Sequence, residues 1–130
     1  MNSRAFARLA LALFVGWLSH EPLHAATLVK NGQPAAVLAL PAPPDDAEKL
    51  AAKELAEHVE KMSGAKLETA TVGATEVDAF LKQRKAAGQV PIFLGRNVRE
   101  RVGLAANAGR GAFALRVTAE AVMIAGVEEG

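Results

Sequence analysis

His58 and Ser63 are the only histidine and the only serine beyond residue 25, and the chain has no cysteine and no tyrosine. A serine nucleophile needs its base within hydrogen-bonding reach, oriented by a third group. His58 and Ser63 are five residues apart, out of phase on a helix, and Ser63 falls at a helix end, where a local hydrogen bond is its expected role. His58 falls at the edge of an apolar stripe, and Glu54, one turn earlier, is placed to pair with it. Residues 57–60 read Glu-His-Val-Glu rather than His-Glu-x-x-His, so the two-histidine zinc motif is absent. Glu54 and His58 alone are too few ligands for a structural zinc, which takes four.

The acidic residues do not form a hydrolytic pair. Glycoside hydrolysis uses two carboxyl groups across a cleft, one held protonated. Asp45 and Asp46 stand at a helix N-terminus, where the dipole favours the ionised carboxylate, and Glu57 and Glu60 fall on a solvated face. Gly109-Arg110-Gly111 is a Gly-x-Gly without the rest of a nucleotide-binding fingerprint. No catalytic, cofactor-binding or metal-ligating residue is therefore assigned, no cofactor is expected, and the substrate-binding residues stay unknown.

Residues 45–64 (DDAEKLAAKELAEHVEKMSG) are the element around which the chain is organised. Asp45-x-x-Glu48 has capping-box spacing, and Gly64 fits the left-handed position that ends a helix. At about 100° per residue, Ala47, Ala51, Leu55, Val59 and Met62 share one stripe. Lys49, Lys53, Glu57 and Glu60 face away from it.

Around this helix lie short strands. Residues 27–30 and 35–40 flank Asn31-Gly32, a strong turn pair, with Gln33-Pro34 lengthening the connection. Residues 41–44 (PAPP) stop the strand and lead into the helix. Residues 66–72 alternate as a strand. Thr75-x-x-Asp78 resembles a second helix start, with Val77, Phe80 and Leu81 on one face and Gly88 past its end. Residues 90–94 (VPIFL) read as a strand covered on both faces. Residues 95–111 are a connection with one helical turn near 98–102. Residues 113–118 and 122–125 form a final strand pair. This order of strands and helices predicts an α/β (α+β) sandwich with a mixed sheet packed by two main helices. Phe80, Phe93 and Phe113 all fall at positions patterned for the core. No aromatic is thereby left to stack on a sugar ring.

Arg4 and Arg8 precede an apolar run at residues 9–18 (LALALFVGWL), which is too short to cross a bilayer. It reads as a signal peptide over residues 1–25, with cleavage after Leu23-His24-Ala25 and a secreted or periplasmic destination. No membrane anchor is expected after cleavage. The full chain carries 15 basic and 14 acidic residues, and loss of Arg4, Arg8 and Glu21 leaves thirteen of each. A balanced charge gives no basic footprint for nucleic acid. Residues 26–130 suffice for one small domain.

The run Leu28-Val29-Lys30-Asn31-Gly32-Gln33-Pro34, the strand at 37–41 and the helix sequence AAKELAEHVEKMSGA at 51–65 resemble a known family. So do Pro91-Ile92-Phe93-Leu94-Gly95-Arg96 and the strand pair from Phe113 to Gly126. They are similar to the N-terminal domain of secreted α-glucuronidase-like glycoside hydrolases, related to the domain that precedes the barrel in β-hexosaminidases. The resemblance implies a non-catalytic α/β sandwich beside a TIM barrel that carries the catalytic carboxylates. It also implies that the pattern continues past Gly130 into a further helix and that barrel, so that residues 26–130 are a domain truncated at its C-terminal end. The expected partner is the barrel of the same parent protein. A missing helix would leave apolar sheet surface exposed. The alternative is a free-standing module that binds carbohydrate or another protein.

Overall fold

The structure is a computed structural model, and it describes residues 25–105 and 107–127. The leader expected over residues 1–25 lies outside them except for Ala25, as does the chain beyond Val127. Strands β1 (Val29–Lys30) and β2 (Gln33–Pro34) form a separate hairpin. β3 (Ala36–Pro41) is followed by helix α1 (Asp46–Ser63), β4 (Glu68–Val72), helix α2 (Val77–Ala86) and β5 (Val90–Leu94). A 3-10 turn at Arg96–Val98 leads toward β6 (Phe113–Val117) and β7 (Val122–Gly126). The fold is α+β, with a mixed five-stranded sheet in the order β4-β3-β5-β7-β6. The β3–β4, β3–β5 and β5–β7 pairs are parallel and the β6–β7 pair is antiparallel.

The hairpin corrects one expectation. Asn31 and Gly32 both take positive φ (53° and 72°), the requirement of a tight type I′ turn. The partner of β1 is thus Gln33–Pro34, immediately after the turn. β3 is released to join the main sheet, and its last residue, Pro41, still pairs with Val72 of β4.

The chain steps from β3 to β4, then returns across β3 to β5. Parallel connections of one hand that run in opposite directions place their helices on opposite faces. The core agrees: Leu38, Leu40, Ile92 and Leu94 pack with Ala52, Leu55 and Ala56 of α1. On the other face Ala39, Phe93, Met123 and Ala125 pack with Val77, Phe80 and Leu81 of α2. Phe80 meets Phe93 edge to face with centroids 6.0 Å apart, and the Arg84 guanidinium stacks 4.9 Å over Phe80.

Helix α1 is capped as its spacing requires. Asp45 Oδ1 accepts from Glu48 N at 2.7 Å, and Glu48 Oε1 accepts from Asp45 N at 3.0 Å. Gly64 takes φ 76° and donates its N–H to Glu60 O at 2.7 Å. The buried stripe is turned relative to the expected one. Glu48, Ala52 and Val59 are buried with Leu55 and Ala56 beside them, whereas Ala47 and Ala51 are exposed and Met62 is 80% exposed. The sheet meets α1 about one residue further round than the apolar pattern alone indicates. The second helix departs from its expected start: Thr75 does not cap it, and Glu76 precedes Val77 with no side-chain cap bond.

Candidate functional site

The carboxyl ends of β5 and β7 and the N-terminus of α1, which follows β3, meet around a cleft of about 620 Å³. This is the end of the sheet where α/β proteins place their ligands. Its apolar wall is Ala47 and Ala51 of α1, Leu94 of β5 and Ile124 of β7; its polar rim is Asp45, Glu48, Arg96 and Arg99.

The Asp45–Glu48–Arg96 part of the rim is joined by its own hydrogen bonds. Glu48 is the one polar or charged residue in the buried set of the described residues, 7% exposed. A buried carboxylate is tolerated only when paired and hydrogen-bonded. Arg96 supplies the pair: its Nη1 donates to Glu48 Oε1 at 2.5 Å and its backbone N to Oε2 at 3.3 Å. Arg96 Nη2 also donates to Pro43 O at 2.5 Å, and Nη1 lies 3.8 Å from Asp45 Oδ2. One arginine thus ties the turn after β5 to both the start of α1 and the proline segment before it. Across the cleft, Arg99 Nη2 donates to Gly126 O at 3.1 Å. Gly95 makes the closeness possible. It has φ 115°, and a Cβ there would come 1.9 Å from Glu48 Oε2.

This arrangement holds elements together; its lining offers no nucleophile, and its two carboxylates are engaged in capping and in the arginine pair. The capping role of Glu48 was legible from Asp45-x-x-Glu48. Its contact with Arg96, 48 positions away, carried no sequence signal. The one hint was Gly95-Arg96 directly after an apolar strand.

The other candidates lie apart from the cleft. His58 is exposed, not at the core edge; its Nδ1 is 2.7 Å from Glu54 O and 4.0 Å from Glu54 Oε2. His58 is thus held by the Glu54 backbone carbonyl, with the Glu54 carboxylate beyond hydrogen-bonding distance, on the solvated side. Ser63 Oγ donates to Val59 O at 2.6 Å and accepts from Ala65 N at 3.1 Å, a local helix-end role. Glu57 and Glu60 pair with Lys53 and Lys66 at 3.8 and 3.7 Å, on the surface. Among the described residues no group of three or more His, Cys, Asp or Glu could hold a metal ion, and no helix is long and apolar enough to cross a membrane. A second cleft, about 310 Å³, lies on the α2 side between Leu81, Met123 and Arg116.

A larger feature is apolar. Phe113 was expected in the core, yet it is 75% exposed, with Leu115 at 58% and Val117 at 43%. Register places Leu115 beside Ile124 and Val117 beside Val122, and both partners belong to the α1 face of the sheet. Side chains opposite one another across a ladder share a face, so all three belong to that face. Helix α1 lies over β3 and β5, which leaves the β6–β7 end of this face uncovered. Ala47 and Ala51 line the cleft together with Ile124, the ladder partner of Leu115.

Comparison with family models, curated proteins and solved structures found no match in any of the three.

Proposed function

We propose that this chain is the accessory, non-catalytic N-terminal domain of a secreted glycoside hydrolase acting in polysaccharide breakdown, with a glucuronoside such as one from xylan as the candidate substrate. It is a scaffold for a catalytic barrel that is not part of these 130 residues. The observation that carries this reading is the uncovered apolar face formed by Phe113, Leu115 and Val117. An exposed contiguous apolar surface of this kind marks a place where another layer packs. The resemblance to the α-glucuronidase and β-hexosaminidase N-terminal domains implies a following helix, and a bare apolar sheet face is what such a helix would cover. The Glu48–Arg96 pair on the cleft rim supports a structural role, because it joins the start of α1 to the turn after β5.

The test is a paired assay on the chain recovered from an exporting host. Glucuronoside and hexosaminide substrates are expected to show no turnover, and a panel of soluble glycans no saturable binding. Saturable glycan binding would overturn the scaffold reading in favour of a free-standing carbohydrate-binding module, and turnover would overturn it in favour of a complete enzyme.

A further inference from the structure

Strand β6 carries more than an apolar face. In its ladder with β7, Thr118 N donates to Ala121 O and Val127 N to Ala112 O. Hydrogen-bonded and non-hydrogen-bonded pairs alternate along an antiparallel ladder. Ala114 and Arg116 therefore turn their backbone groups toward β7, and Phe113, Leu115 and Val117 turn theirs toward the open edge. No other strand of the described residues pairs there. The residues with exposed apolar side chains are thus also those offering free N–H and C=O groups.

The two edges of the sheet differ. β4 at the opposite edge begins at Glu68 and exposes threonines, the polar treatment that discourages strand addition. β6 has no proline and no lysine, and its single charge, Arg116, points to the other face. An edge left apolar and unprotected is a template for pairing with another strand.

We infer that β6 pairs antiparallel with β6 of a second copy of this chain, making one sheet continuous across a twofold axis at Leu115. The strand is self-complementary in that register. Leu115 meets Leu115 and Phe113 meets Val117 on the apolar face, while Arg116 meets Ala114 on the other, so no like charges face each other. The edge-directed backbone groups of Phe113, Leu115 and Val117 are the ones this register joins. Pairing in the plane of the sheet leaves its α1 face open to a packing layer, so the two-copy assembly stands or falls separately from the scaffold reading.

The test uses sedimentation velocity of the chain from an exporting host over a range of micromolar concentrations. The wild type is expected to shift to twice the monomer mass as concentration rises, and Leu115→Lys to stay monomeric with unchanged circular dichroism. The absence of cysteine makes a second readout clean. The Cα atoms of a hydrogen-bonded antiparallel pair are about 5.5 Å apart, within disulfide range. Leu115→Cys is expected to cross-link as a dimer on mild oxidation at least tenfold faster than the exposed control Met62→Cys. A wild type that stays monomeric, a Leu115→Lys dimer, or equal cross-linking at the two positions would each overturn the inference.

Discussion

Gly95 is where one added carbon does most harm. Its φ of 115° suits glycine alone, and a Cβ would collide with the Glu48 carboxylate and approach Pro41 Cγ to 3.0 Å. Gly95→Ala must either strain the backbone or push Glu48 off Arg96. Strain of this kind costs about 1–3 kcal/mol, and breaking a buried pair costs more; Arg96 keeps some solvent contact, which lowers that second share. We expect a loss of about 2–4 kcal/mol, read as a melting temperature roughly 10–20 °C lower. An unchanged melting temperature would mean that the Glu48–Arg96 junction does not hold the cleft. Asp78 provides a second residue-scale test. The hydrogen bond from Arg101 at 2.8 Å, reinforced by its charge, holds the Asp78 carboxyl below its ordinary value. A folded pKa below the unfolded one stabilises above the unfolded value of about 3.9. That contribution is lost as pH falls through the lower folded midpoint. Side-chain NMR titration should show the depressed midpoint, and Arg101→Gln should raise it. Residue roles were legible in the sequence only where both partners were near neighbours, as with Asp45 and Glu48. Glu48–Arg96 and Asp78–Arg101 join positions that only the fold brings together.

At the scale of elements, the sequence marks where α1 begins and ends but misjudges its phase. Alanines at 47, 51, 52 and 56 spread the apolar arc wide, so several faces fit the pattern. The sheet chooses the face of Ala52 and Val59, leaving Ala47, Ala51 and Met62 outside. Val59→Asp and Met62→Asp separate the two phases. Val59 is 5% exposed, so an aspartate there buries an unpaired carboxylate and should cost about 3 kcal/mol or more. Met62→Asp should fall within about 0.5 kcal/mol of wild type by urea unfolding. Equal effects would return α1 to the phase of the apolar pattern. The strands were legible for a related reason. Residues 90–94 form a continuous apolar run because β5 is covered on both faces, and that strand is found at the expected residues. The first hairpin was misread because a proline two residues after Asn31-Gly32 looked like a loop residue, whereas Pro34 pairs with Val29 at an edge, where its missing N–H is harmless.

For the molecule as a whole, the order of helices and strands predicted a mixed sheet packed by two helices, and this is what the chain builds. The sequence could not show which part of the sheet stays bare. Phe113, Leu115 and Val117 alternate like any half-buried strand, and their exposure follows from register with β7 and from the reach of α1. That bare face is the observation on which the proposed scaffold role rests. The measurement that tests it most directly is the nucleotide sequence beyond the codon for Gly130. The scaffold role predicts an open reading frame that encodes an amphipathic helix, able to cover Phe113, Leu115 and Val117, and then a barrel carrying paired acidic residues. A stop codon directly after Gly130 would contradict it, leaving a free-standing domain whose apolar face serves another partner.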